Sequence, residues 1–298
     1  MNAQSTAVTY TKDLNGNLVA GGETVSAPGV ITDLRQSING REVPVQQIEQ
    51  RVLSQSGNTT VTERIIRHYG TNGSLVSTDR VVTEETRTGE GESVVHSTTF
   101  QTDLSGNSAA TERKTVETHK SGAVTTTDTS IEKKDLNGQF SVAEKHNLTA
   151  EATSDGKRAS ETLYLRDANG SLVEAQRSST TEVKAGNQVS TNTAVYQPDV
   201  NGRLALKRQE VSKLTTNPDG SSSAEVEIFG RASDGIARSS SAAPGLTEKR
   251  VIERQKAPGG AIVETQTVQV PSVNDPGRLD PAHKVSETIC RGECDKKN

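Results

Sequence analysis

Apolar and polar residues alternate along much of this chain, and alternation with a period of two marks a β-strand. Over 171–184, one row reads Val173, Ala175, Arg177, Ser179, Thr181 and Val183, and the other reads Leu172, Glu174, Gln176, Ser178, Thr180 and Glu182. Over 140–152 the row is Phe140, Val142, Glu144, His146, Leu148, Ala150 and Ala152; over 61–69 it is Val61, Glu63, Ile65, Arg67 and Tyr69. The apolar row often carries a charge near its middle. Two readings account for this: charged cross-strand ladders beside a water-accessible interior, or a β-bulge that swaps the faces partway along the strand.

Turn signals punctuate the strands on a regular beat. Asp103, Asp135, Asp167 and Asp199 open four tetrapeptides ending in Gly106, Gly138, Gly170 and Gly202, each 32 residues after the last. A second series, Gly89, Gly122, Gly156, Gly186 and Gly220, falls about midway between them. Asn-Gly pairs include Asn15-Gly16, Asn137-Gly138, Asn169-Gly170 and Asn201-Gly202; Asp-Gly occurs at 155–156, 219–220 and 234–235. Both pairs tolerate positive φ, so a type I′ turn with Asn-Gly at its centre is expected at these structural turns. A helix would place glycine, asparagine and threonine against propensity throughout.

With about four residues per turn, each strand has about 12 residues and spans about 40 Å. The fold expected is all-β: a repetitive, long-stranded antiparallel β-meander of about 16–17 strands built from a 32-residue hairpin repeat. Open twisted sheets rarely exceed about ten strands, so the array is expected to be rolled or coiled. A β-propeller is the alternative, disfavoured because such strands are long for its blades. The chain divides into an irregular N-terminal part of the array (1–56), a regular array (57–235), an irregular continuation (236–270), and a C-terminal cap with a cysteine tail (271–298).

Tyr196-Gln-Pro-Asp199-Val-Asn-Gly202-Arg203-Leu204 and Tyr164-Leu-Arg-Asp167-Ala-Asn-Gly170-Ser-Leu172 resemble the YD repeat of RHS-type proteins. In that family a Tyr-Asp strand end, a glycine turn and an Arg-Leu strand start recur along secreted chains that wind a β-ribbon into a hollow shell. The resemblance covers the turn alone, and most units here lack the tyrosine. It implies a long β-meander on a secreted or surface protein, and neither a toxin nor an encapsulated cargo.

Composition narrows the picture. Apolar residues make up 30% of the chain and aromatics 2%, with no tryptophan, against about 45–50% apolar in ordinary domains. A thick two-layer core is therefore not expected. Valine and threonine favour strands, and periodic turns have no purpose in a disordered chain. The net charge of −4 is spread in mixed sign, with no basic run or aromatic platform for nucleic acid. No membrane span is expected: no stretch approaches the roughly 18 apolar residues of a membrane helix, and three Phe and four Tyr are too few for the aromatic girdles of an outer-membrane barrel. No apolar signal-peptide core occurs in 1–10; the expectation is that this is a C-terminal portion of a longer chain, so that a missing signal says nothing.

Cys290 and Cys294 are the only cysteines and form a candidate structural disulfide around Arg291-Gly292-Glu293. Such a bond requires the Cα atoms about 4.4–6.8 Å apart, hence a turn, and hence an array that ends before Cys290. It would also place the chain in an oxidising compartment; a pair of reduced tail thiols is the other reading. The Asp-x-Asn-Gly turns put glycine at position 4, not the position 6 of a calcium loop. His68, His96, His119, His146 and His283 form no metal-spaced pair, and no nucleophile elbow, phosphate loop or dinucleotide fingerprint occurs. Thr125, Thr127 and Thr129 share a row that could meet an ordered surface, although threonine is also ordinary strand filler.

The expectation is thus a non-enzymatic structural or adhesive β-repeat protein of the cell surface or extracellular space, serving as spacer, fibre or scaffold. No catalytic, cofactor or metal residues are assigned. The expected partners are a second copy or a surface or glycan ligand. The alternative is a carbohydrate- or ligand-binding module that uses one long β-face.

Overall fold

The computed structural model describes residues 5–12, 18–26, 32–38, 41–102, 106–135, 137–230, 244–257, 261–272, 275 and 278–291. They form one antiparallel sheet of 18 strands and no helix. In chain order these are β1 (Ser5–Lys12), β2 (Leu18–Ser26), β3 (Thr32–Ile38), β4 (Arg41–Ser56), β5 (Thr59–Tyr69), β6 (Leu75–Gly89), β7 (Glu92–Thr102), β8 (Ser108–Ser121) and β9 (Val124–Lys134). The second half comprises β10 (Phe140–Thr153), β11 (Gly156–Arg166), β12 (Leu172–Ala185), β13 (Gln188–Pro198), β14 (Leu204–Thr216), β15 (Ser222–Gly230), β16 (Gly245–Lys256), β17 (Ile262–Gln269) and β18 (His283–Arg291). Each strand lies beside its neighbours in the chain, and β1 pairs with both β2 and β18. The meander is therefore rolled until its first strand meets its last. A single continuous sheet excludes the separate blades of a propeller.

The repeat has an inner asymmetry that equal spacing of turn signals does not reveal. In the regular region an 11-residue strand, a five-residue turn, a 14-residue strand and a two-residue turn make up each 32-residue unit. In the five-residue turn at 167–171, the amide of Gly170 donates to the carbonyl of Asp167 at 3.1 Å, and the amide of Asp167 donates to the carbonyl of Ser171 at 2.8 Å. The Asp167 carboxylate accepts from the amides of Asn169 and Ser171, both at 2.9 Å. Gly170 has φ +84°. This is a turn opened by aspartate and closed by a left-handed glycine, the pattern that ends in a G1 bulge. The same bonds recur at Asp135 and Asp199. Asn137-Gly138, Asn169-Gly170 and Asn201-Gly202 are therefore turn residues, as expected, but they occupy the last two positions of their turns and not the centre of a type I′ turn. The aspartate carboxylate is what the simpler expectation left out. Asn15 and Gly16 lie outside the described residues.

The two-residue turns sit at the other ends of the strands. Their second residue is tied to the next hairpin: the carbonyls of Asn58, Ala123, Asp155 and Asn187 accept the amides of Arg87, Ala152, Lys184 and Thr216. The longer strand of each unit overshoots to reach that carbonyl, which accounts for the alternation of lengths.

Each longer strand also carries an unpaired residue near its start. The register skips Val76, Thr111, Ala143, Ala175, Lys207, Thr247 and Val285, and four of these are 32 residues apart. Val142 pairs with Glu132 while Glu144 pairs with the adjacent Ile131, so Val142 and Glu144 lie on opposite faces. The charge within the row over 140–152 is thus produced by a bulge. On β5 no residue is skipped within Val61–Tyr69, and there the charge is a true cross-strand ladder. Both readings of the sequence hold, each on its own class of strand.

The core is thin. Among the described residues only Ile228, Ile262 and Glu63 are buried, so backbone ladders and turn hydrogen bonds carry much of the cohesion. Two boundaries need correction. The stretch 271–298 holds a full strand, β18, with partners on both sides, and is not merely a cap. That strand runs through Cys290, which pairs with Ala7 and Ile262, so the array does not end before Cys290. The ladder continues because β1 and β17 both supply partners. Cys294 lies outside the described residues.

Candidate binding face

Directly paired residues share a face of the sheet, so the registers assign every strand position to one of two faces. Tyr69, Phe100, Phe140, Tyr164, Tyr196 and Phe229 all fall on the same one. They are all of the aromatic residues whose side chains the structure describes, and Tyr10 holds the corresponding register position on β1. Tyr69, Phe100, Tyr164, Tyr196 and Phe229 each lie at the step where the partner strand bulges. A large flat side chain there covers the gap that the skipped residue opens in the ladder.

Cations interleave with these rings. Arg80 pairs with Phe100, Lys145 with Tyr164 and Arg177 with Tyr196. Where the repeat has Glu132 in place of an aromatic, its partner is Arg113, and the ring is supplied from β10 by Phe140. The Arg113 guanidinium sits 4.2 Å from the Phe140 ring centre, and that of Arg80 5.2 Å from the centre of Phe100; a cation over a ring face is attracted by its quadrupole. Arg113, Lys145 and Arg177 are 32 residues apart. No basic run announces this row in the sequence, because its members are contributed one per unit. The signal that could have found it was the shared 32-residue spacing.

Glu63 is the most enclosed charge on this face, with 3% of its side chain exposed. Its carboxylate accepts from Arg80 at 2.6 Å and from Arg51 at 2.5 Å. The Arg80 hydrogen bond holds the Glu63 carboxyl below the usual carboxylate range; burial opposes this, and Arg51 reinforces it. Glu174 similarly accepts two hydrogen bonds from Arg177, at 2.9 and 3.1 Å.

The opposite face carries a second charged cluster. His146 lies between Glu144, in close contact, and Glu161 at 3.0 Å. Partial burial works against the imidazolium, but the two carboxylates outweigh it and raise the His146 pKa. A polar hollow of about 380 Å³ lies elsewhere on this face, lined by residues including Thr62, Arg64, Thr83, Ser97 and Lys114. Charges punctuate both faces, Glu63, Arg80 and Arg113 on one and Arg64, Glu112 and Lys114 on the other, so neither offers an unbroken apolar band. Among the described residues, no three His, Cys, Asp or Glu side chains are grouped to hold a metal ion.

No protein family profile and no curated protein matches the chain. Among solved structures it is similar to a porin-like protein from Bacteroides uniformis, at 13% identity over 82% of this chain and 95% of that one, with a TM-score of 0.18. At that score the likeness carries no argument.

Proposed function

We propose that the chain is a non-enzymatic structural β-repeat, a spacer or scaffold of the cell surface or extracellular space. The observation that supports this reading is the construction of the sheet. One hairpin unit recurs, its conserved chemistry lies in turns and bulges, and its long faces are polar and wet. Such a design makes length and circumference depend on the number of units, which suits a spacer. Negative-stain electron microscopy of the purified chain tests the reading, with surface labelling of intact source cells beside it. Uniform rolled particles or ordered polymers exposed on the cell support it; an intracellular location and irregular aggregates would overturn it.

A second reading has its own support. The alternation of rings and cations along one face fits an extended ligand that offers flat apolar surfaces beside acidic groups, as a uronate-containing polysaccharide does. Glycan-array binding that is lost on replacing both Tyr164 and Tyr196 by alanine, with the fold retained, would favour a binding module over a passive scaffold.

A further inference from the structure

The seam between β1 and β18 differs from the ladders in the regular array. It consists of five residue pairs, from Thr6↔Arg291 to Tyr10↔Glu287. The ladder between β9 and β10 has eleven, as does that between β13 and β14. No chain connection backs the seam, whereas each neighbouring pair is held by a turn. The strands that form it are short, at eight and nine residues. Opening it frees two edges, each presenting a row of backbone donors and acceptors that can pair with another chain.

We propose that this seam opens and that β18 of one copy pairs with β1 of a second in the register the two strands use within one chain. A second copy is the occupant that matches, because it alone is certain to carry the complementary edge. The contact is head-to-tail, since the two edges differ. It therefore closes into a larger ring or continues as a filament, according to the rotation between copies. The inference goes beyond the scaffold reading and does not depend on where the protein resides.

The register supplies the test. Ala7 is directly opposite Cys290, and directly opposed Cα atoms in antiparallel strands lie about 4.5–5.5 Å apart, within the disulfide window of about 4.4–6.8 Å. In the full chain carrying Ala7→Cys and Cys294→Ser, mild oxidation at high dilution should give a bond within one chain, seen as a faster-migrating monomer on a non-reducing gel. This stapled chain should stay monomeric by light scattering, while the reduced form should grow in mass with concentration. A pair of variants removes any self-bonding: one chain carries Ala7→Cys, Cys290→Ser and Cys294→Ser, and the other only Cys294→Ser. When they are mixed and oxidised, a covalent heterodimer should rise with concentration. The proposal is overturned when the mixed chains stay uncrosslinked at every concentration, or when stapled and reduced chains have the same mass throughout. Absence of the intramolecular bond at dilution overturns it as well, because the seam itself is then not formed. None of these failures bears on the scaffold reading, which microscopy and surface labelling test separately.

Discussion

Gly156 and Gly170 lie within one unit and should fail for different reasons when a side chain is added. Gly170 closes a turn at φ +84°, and a Cβ there meets nothing within 4 Å. Its replacement therefore costs only conformation: about 1–2 kcal/mol for an L-residue in the left-handed region, partly offset by about 0.4–1 kcal/mol from the stiffer unfolded chain. Gly170→Ala should lose about 1 kcal/mol, and Gly170→Val somewhat more. Gly156 opens β11 opposite Val183. A Cβ built on it would stand 1.9 Å from the Glu182 carbonyl oxygen and 2.7 Å from its carbon. These are backbone atoms and cannot rotate away, so the β11–β12 ladder must part at that point. Overpacking of this kind costs about 1–3 kcal/mol, and each backbone hydrogen bond lost adds about 0.5–1.5 kcal/mol. Gly156→Ala should therefore lose about 2–4 kcal/mol. At about 2 °C per kcal/mol for a chain of this size, the melting temperature should fall by about 4–8 °C, against about 2 °C for Gly170→Ala. Thermal melts followed by circular dichroism give the comparison, with the exposed Ser179→Val as a near-neutral control. Equal losses, or a larger loss for Gly170→Ala, would refute the close approach of the two strands at Gly156. A Gly170→Val chain that melts with the parent would refute the left-handed turn.

Three further outcomes follow from the charged rows and the repeat. The Glu63 carboxyl is depressed in the folded chain, so its stabilising contribution is present above the unfolded carboxylate pKa and is lost as pH falls through the lower folded value; urea midpoints measured against pH should drop steeply there, and Glu63→Gln should flatten that drop. Arg113→Ala removes the guanidinium from the Phe140 ring and should cost about 0.5–1 kcal/mol, a loss that disappears in a Phe140→Leu background when the two are combined in a double-mutant cycle. Deleting 135–166 removes one five-residue turn, β10, a two-residue turn and β11, and brings Asp167 to the place of Asp135; the strand signal in circular dichroism should persist with modest loss of stability, because β9 meets an equivalent partner in β12 and β1 still meets β18 antiparallel.

The strand class, the hairpin order and the 32-residue unit were legible because turn residues at fixed spacing report backbone geometry directly. The number of strands was underestimated because β18 follows an altered turn motif at 274–279 and reads as a tail. What alternation could not show was the bulge: one skipped residue reverses which positions share a face, so the rows over 140–152 and 171–184 each mix two faces. Val173 and Arg177, written in one row, stand on opposite sides of the sheet. The aromatic and cationic row was invisible for the same reason, since assigning Phe140 and Tyr164 to one face requires knowing that Ala143 is skipped. Glu63 could not be recognised as buried from sequence, because its enclosure depends on Arg51 and Arg80 from two other strands.

The bulges also bear on how this sheet finds its alignment. A strand such as β9, with Thr125, Thr126, Thr127 and Thr129, offers little to distinguish one alignment from another displaced by two residues, since similar groups would still meet across the ladder. A displaced strand would instead carry its extra residue away from the one step able to accommodate it, and would pull the aspartate-opened turn out of place at its end. Alignment is thus indexed by a single notch and two stops per hairpin, and not by the text between them. Substitutions midway along the strands should accumulate freely so long as they remain polar and extended, while a one-residue insertion outside the notch should be read as an error along the whole strand.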